Sequence, residues 1–428
     1  MKHIPLAVGL SMGLLCLLAS CSTTTTTPNA PMARALPSAG SYPLVGTGQL
    51  TFWGTDGKEM AAPALGDPLY GQDAQHPGTA AAYKDNGDST VSDLVTGLTW
   101  TQTPDLNRDG VIGKADKLTY DQAMASASKV TTGGHSDWRL PTIKELYSLI
   151  DFRGLDPRIE DKDSSRVIPF IDTKAFRFGY GDVKSGERII DAQFATSTLY
   201  VGKTGGPDMQ TMFGVNFADG RIKGYGLGPR GDHGFYVLYV RGNLAYGVNS
   251  FVDNGNGTIT DEATRRMWSQ ADSGAALDWE KALAWVQTKN AENYLGHNDW
   301  RLPDVKELQS LVDYTRAPGV TGSAALAPLF TATPTTNELG EADYGFYWSS
   351  TTHLSSVGNP GERAAYVSFG RATGKMFGTW MDVHGAGAQR SDPKVGDATQ
   401  FVDGRGPQGD AIRIQNFVRL VRYSQEGK

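Results

Sequence analysis

Gly134-His135-Ser136-Asp137-Trp138-Arg139-Leu140-Pro141 and Gly296-His297-Asn298-Asp299-Trp300-Arg301-Leu302-Pro303 are one octapeptide with a single position changed. Upstream of the first, Tyr83-Lys84-Asp85-Asn86-Gly87-Asp88 matches Phe251-Val252-Asp253-Asn254-Gly255-Asn256, and Trp100 matches Trp268. Downstream, Phe194-Ala195-Thr196-Ser197-Thr198 resembles Tyr347-Trp348-Ser349-Ser350-Thr351, and the stretch 236–241 resembles 417–422. A period of about 165 residues is far too long for a solenoid and means tandem domains. The boundary falls near Gly242 to Asn249.

Each copy carries the same local signals. Asp-Asn-Gly between alternating β-formers predicts a hairpin leading to Trp100 in one copy and to Trp268 in the other. Thr119 with Gln122 forms a capping box for a helix to about Val130, and Asp278 opens its equivalent. Arg-Leu-Pro stops a strand. Thr142 with Glu145, and Asp304 with Glu307, then cap a second helix. Ile143, Leu146, Leu149 and Ile150 share one helical face, as do Val305, Leu308, Leu311 and Val312. The order is hairpin, helix, strand, helix, then long loops and strands, which is α+β rather than doubly wound.

The chain of 428 residues has two cysteines, Cys16 and Cys21. Cys16 lies in an apolar run from Ile4 to Leu18 that follows Lys2 and His3. The run is short for a bilayer span and reads as a leader over residues 1–20. It ends in Leu18-Ala19-Ser20-Cys21, which looks like the lipobox of bacterial lipoproteins; an ordinary secreted leader with an incidental cysteine is the alternative. The resemblance implies acyl chains on Cys21, a membrane partner and, with Ser22 rather than aspartate next, the outer membrane of the bacterial cell envelope. Residues 21–48 hold the run Thr23 to Thr27 and Pro28, Pro31, Pro37 and Pro43, and read as a disordered or extended tether. The folded part is then residues 49–245, with an amino-terminal extension, and 246–428. It carries no disulfide and no free thiol. A net charge of −6 argues against nucleic acid as a partner.

The hairpin with its tryptophan, the Asp-Trp-Arg-Leu-Pro block with Lys144-Glu145-Leu146 or Lys306-Glu307-Leu308 after it, and the terminal Val-Arg strands together resemble the Lcl C-terminal domain family. That resemblance covers most of residues 70–425, twice over. It implies a fold similar to C-type lectins and formylglycine-generating enzymes, an adhesive role and a capacity to oligomerise. The founding adhesin's domain is implicated in binding sulfated glycosaminoglycans. Many relatives carry cysteines that this chain lacks near Thr51 to Met60 and in the final strand.

Asp105-Leu106-Asn107-Arg108-Asp109-Gly110-Val111, closing at Asp116, fits a calcium loop except for aspartate in place of the final glutamate. Alternate oxygens of Asp105, Asn107, Asp109, the Val111 carbonyl and Asp116 would converge on a hard cation in a structural role. A solvated Asp/Asn turn is the plain alternative. The second copy is too short between Trp268 and Ala282 to hold such a loop. His135 with Asp137, and His297 with Asp299, could pair as base and orienter, but no nucleophile accompanies them and they read as turn locks. Trp138, Trp300 and Trp348 read as core anchors before sugar platforms. Arg230-Gly231-Asp232 is an RGD tripeptide of the kind that arises by chance.

The resulting expectation is a non-enzymatic surface module that binds a glycan or an envelope protein through an exposed cleft on each copy, built by loops in 200–235 and 352–410. With no dense basic run, a sulfated sugar is no more favoured than a neutral glycan. Oxidation chemistry of the formylglycine-generating type lacks its thiols, and a hydrolase has no motif behind it. A structural envelope component without a ligand is the alternative.

Overall fold

The structure is a computed structural model that describes residues 41–206, 209–228 and 234–424. The leader, Cys21, residues 21–40 of the tether and the RGD tripeptide lie outside the described residues. In the first copy, strands β1 (Tyr83–Asp85), β2 (Thr90–Asp93) and β3 (Leu98–Thr101) form a meander. Helices α1 (Tyr120–Ser126) and α2 (Ile143–Tyr147) follow, then β4 (Gln193–Phe194), β5 (Thr211–Asn216), β6 (Arg221–Gly226) and β7 (Val240–Gly242). The second copy repeats this order with β8 (Phe251–Asp253), β9 (Thr258–Asp261), β10 (Arg266–Ser269), α3 (Trp279–Ala291), α4 (Val305–Ser310), β11 (Phe346–His353) and β12 (Arg363–Ser368). It then inserts a hairpin, β13 (Thr373–Met376) and β14 (Thr379–Asp382), before β15 (Gln389–Pro393) and β16 (Val421–Tyr423).

The local chemistry explains these elements. Asp85 Oδ1 accepts from the Gly87 amide at 2.8 Å, and Asp253 Oδ1 accepts from Gly255 at the same distance, so each carboxylate closes its own turn. The glycines sit at φ +76° and +72°, a left-handed conformation that costs them nothing. Both strands run in the same register to their tryptophans, Val91 opposite Trp100 and Ile259 opposite Trp268. Every expected cap forms: Gln122 N donates to Thr119 Oγ1, Glu145 N to Thr142 Oγ1 and Glu307 N to Asp304 Oδ1. Helix α1 ends at Ser126 and continues to Lys129 as a 3-10 turn.

In each copy the last strand returns beside the first meander. Sheet β1-β2-β3-β7 and sheet β8-β9-β10-β16 are the two terminal sheets. The Trp-Arg-Leu-Pro segment is pinned to the same last strand, with Arg139 N donating to Val240 O at 3.0 Å and Arg301 N to Val421 O at 2.9 Å.

The copies do not stand apart. One antiparallel six-stranded sheet runs β11-β12-β15-β6-β5-β4, three strands from each copy. The central pair, β6 and β15, are equivalent strands, bridged antiparallel at Ile222 and Gln389. Equivalent strands meeting antiparallel define a local pseudo-two-fold axis. Side chains obey it: Lys144 Nζ donates to the Ser310 carbonyl at 2.8 Å, and Lys306 Nζ to the Ser148 carbonyl at 3.0 Å. A single apolar core spans both copies, holding Trp100, Leu146 and Phe213 with Trp268, Leu308 and Tyr347. Two outer cores flank it, one around Trp138 and Met212, the other around Trp279, Trp300 and Trp348.

The tether reading is corrected at its end. Residues 41–48 are packed: Tyr42, Leu44 and Val45 are buried, and Tyr42 N donates to Ala263 O at 3.1 Å. From there the extension straps the second copy before the chain enters the first. Gly66 N reaches Gln287 Oε1 at 2.9 Å, Asp73 accepts from Thr351, and Leu69 packs into the second copy's outer core. No helix of the described residues is long and apolar enough to cross a membrane.

Candidate functional site

The pseudo-axis places a cleft of about 660 Å³ over the β6–β15 joint. Its floor is built by alternation. Arg221 and Lys223 are two apart on β6, so they project to the same face of the sheet. Arg363 and Tyr366 come from β12, and Arg390 and Ser391 from β15. Asp219 precedes β6, Asp156 comes from the loop after α2, and Asp410 from the long loop before β16.

Within each copy these charges are paired, and one histidine reaches across the seam. Arg221 Nη2 donates to Asp156 Oδ2 at 2.7 Å, and Lys223 Nζ donates to Asp219. Arg390 pairs with Asp410, whose other oxygen lies 2.9 Å from His384 Nε2. His353 Nε2 meets the Asp219 carbonyl at 2.9 Å. Burial pushes the Lys223 ammonium down to about 8 against the pull of Asp219. Burial and then the neighbouring Arg221 push Arg390 down to about 10. Burial also works to raise Asp219, but Lys223, Arg221 and Arg390 outweigh it and hold it low. Burial first, then Arg390, keeps the His384 imidazole neutral.

Three buried polar atoms in this network have no partner among the described residues: Arg390 Nε and Nη1 and Asp219 Oδ1. Each of these atoms is enclosed by its neighbours and lies beneath the cleft floor rather than open to it. The rim adds Lys114, Arg158, Arg188 and Arg405 with Glu160, Glu187 and Asp191.

The sequence predicts one cleft per copy, from loops in 200–235 and 352–410. The structure instead brings residues of both copies into one cleft, because the sheets are joined. The basic residues are far apart in sequence, so no basic run announced them. The only local signal was the Arg221-x-Lys223 alternation on a strand.

At the proposed calcium loop, Gly110 takes φ +84° and the chain turns as the motif requires. The oxygens, however, hold the loop's own amides. Asp105 Oδ2 accepts from Gly110 N at 3.0 Å, Asn107 Oδ1 from Asp109 N at 2.9 Å and Asp109 Oδ1 from Val111 N at 2.8 Å. Asp116 is buried, with Oδ1 accepting from Leu106 N and Oδ2 from Gly113 N. Among the described residues no group of three or more His, Cys, Asp or Glu side chains is placed to hold a metal ion. Asp105 Oδ1 is the one buried loop oxygen without a partner among the described residues.

The histidines do not pair with the neighbouring aspartates as base and orienter. His135 and His297 pack edge-on against Trp138 and Trp300, while Asp137 and Asp299 bind Arg241 and Arg422 of the last strands. Trp138, Trp300 and Trp348 are buried, each indole donating to a backbone carbonyl.

Two α+β copies fused through one sheet, with a charged cleft on the fusion line, define a duplicated module with one composite site. The chain belongs to the Lcl C-terminal domain family, whose model matches residues 89–241 and again 257–383, well over half of its length. No curated protein and no solved structure matches it. The structural repeat continues past the second match to β16.

Proposed function

We propose that this protein is a non-enzymatic binding and adhesion module of the bacterial cell envelope, held at the outer membrane by lipid on Cys21, and that its glycan ligand enters the seam cleft. The observation that carries this reading is a cleft of about 660 Å³ on the seam, floored by Arg221, Lys223, Arg363 and Arg390 with Asp156, Asp219 and Asp410, a polar lining suited to the hydroxyls of a saccharide. The C-type-lectin-like fold belongs to the same reading. It draws support from the way the first and last strands of each copy close on one another. A glycan array probed with the intact chain, together with pull-down of envelope proteins, tests it. Binding of a saccharide that Arg390→Gln weakens supports the reading. An envelope protein captured with no saccharide bound replaces the ligand class, and neither would leave a structural component.

The loop from Asp105 to Asp116 is proposed as a structural calcium site of the first copy, supported by its spacing, by Gly110 and by the orphan Asp105 Oδ1. Calcium would have to draw Asn107, Asp109, the Val111 carbonyl and Asp116 around that oxygen. Calcorimetric titration should give saturable heat that Asp105→Asn removes. Absence of heat from a folded protein ends the proposal.

A further inference from the structure

One cation in the floor of the seam cleft has no counter-charge. Arg221, Lys223 and Arg390 are each paired, with Asp156, Asp219 and Asp410. Arg363, the first residue of β12, lines the same cleft and is only 8 % exposed. Its side chain makes no hydrogen bond or ion pair among the described residues. Its nitrogens are not enclosed as Nε and Nη1 of Arg390 are, so the guanidinium stands open to the cleft. A nearly buried charge without a partner is costly, so the fold gains nothing from an arginine there. The scaffold does not require one. Phe194 pairs with Val215 and Tyr347 with Val367, so β5 and β12 correspond, and Thr211 stands in β5 where Arg363 stands in β12. Thr211 is buried and satisfied, its hydroxyl 2.7 Å from that of Thr204. One copy closes the position with a neutral pair, and the other leaves an unanswered guanidinium in the cleft.

The rest of the lining bears on the charge of the ligand. Eight cationic and six carboxylate side chains line the cleft, an excess of two positive charges in a chain whose overall charge is −6. On the rim, Arg158 and Arg405 have no ion pair among the described residues, whereas Asp191 and Glu187 are already held by Arg188 and Lys117. A guanidinium presents a fork that fits two oxygens of a carboxylate, a sulfate or a phosphate. Charge separates the three. A carboxylate or a sulfate ester carries a single negative charge. A phosphate monoester carries about −1.5 to −2 at neutral pH and so matches the excess.

We propose that the seam cleft takes one phosphorylated sugar per chain, with the phosphate monoester received by Arg363; this narrows the glycan reading above and rests on it. Isothermal titration of the intact chain tests this with four sugars that differ only at C6: glucose, glucuronate, glucose 6-sulfate and glucose 6-phosphate. The expected result is one glucose 6-phosphate per chain, bound about tenfold or more tightly than glucuronate or the sulfate, with glucose weaker still. Arg363→Gln removes an uncompensated charge, so it should melt no lower than the wild type while losing the phosphate preference. Should that variant not fold, the four-sugar series on the unaltered protein decides. Sulfate or glucuronate bound as tightly as the phosphate overturns the inference and leaves the glycan reading standing. So does a stoichiometry of two, or a phosphate preference that survives in Arg363→Gln. Inorganic phosphate bound as tightly as the phosphosugar overturns the sugar as ligand, and with it the glycan reading of this cleft. No heat with any of the four overturns the inference, and the glycan reading falls too if the array is also blank.

Discussion

Single residues decide how the duplicated parts differ. Glu307 accepts from both Arg301 and Arg266 and is buried with them. Its counterpart Glu145 holds Arg139 alone, whose side chain is 28 % exposed. Breaking a buried pair leaves the partner charge uncompensated, so Glu307→Gln should cost about 3–5 kcal/mol, and Glu145→Gln distinctly less because water screens Arg139. Chemical denaturation of the two variants checks the order; equal losses would refute the argument. Burial raises the Asp392 carboxyl to about 6, although the Ile414 and Arg413 amides and Asn416 all donate to it. A folded-state value above the unfolded one means that stability is gained as pH falls through 6 and is complete near 4. The wild type should therefore gain on Asp392→Asn between pH 7.5 and 4.5 in paired melts. A stability gap independent of pH would show that Asp392 does not titrate there. The caps, the turn aspartates and the core tryptophans were all legible at this scale, because each is satisfied by neighbours within a few residues. Asp219, Arg221 and Arg390 were not, because their meaning comes from partners on other strands.

At the scale of elements, the strap is where sequence patterning ran out. Residues 41–48 follow a threonine- and proline-rich stretch and show too short an apolar pattern to separate from it, yet Tyr42 stacks edge-on with Tyr246 at 4.6 Å. Hairpins and capped helices announce themselves because their stabilising contacts are local. A strap is stabilised only by surfaces that come together after folding. Gln49 makes the case in one side chain. Its amide nitrogen donates to Phe152 O of the first copy at 3.0 Å, and its oxygen accepts from Thr352 N of the second at 3.0 Å. Gln49→Ala would strip buried backbone groups in both copies of their partners. Each unsatisfied group costs about 1–3 kcal/mol, so for the two groups a total loss of about 2–6 kcal/mol is expected by denaturant titration. A change below about 0.5 kcal/mol, typical of surface positions, would mean that the strap does not clip the copies together.

For the whole molecule, the repeat found in the sequence fixes the topology of each copy but not the relation between them. Tandem repeats of this length ordinarily imply two cores and a linker. What joins them here is the edge of a sheet: β6 and β15 each have an exposed ladder until they pair. Leaving either edge bare would invite association with other chains, so fusion solves within one polypeptide what a homodimer solves with two. The reciprocal Lys144 and Lys306 contacts, the continuous core through Trp100 and Trp268, and the strap across the second copy all couple the halves. Unfolding one copy would expose the central core and the β15 or β6 edge of the other. Calorimetry should accordingly give one transition whose van't Hoff and calorimetric enthalpies agree, as for a single domain. Separated melting of the two copies would contradict the shared core, and with it the composite nature of the cleft, since a site floored by Arg221 and Arg390 exists only while both copies are folded.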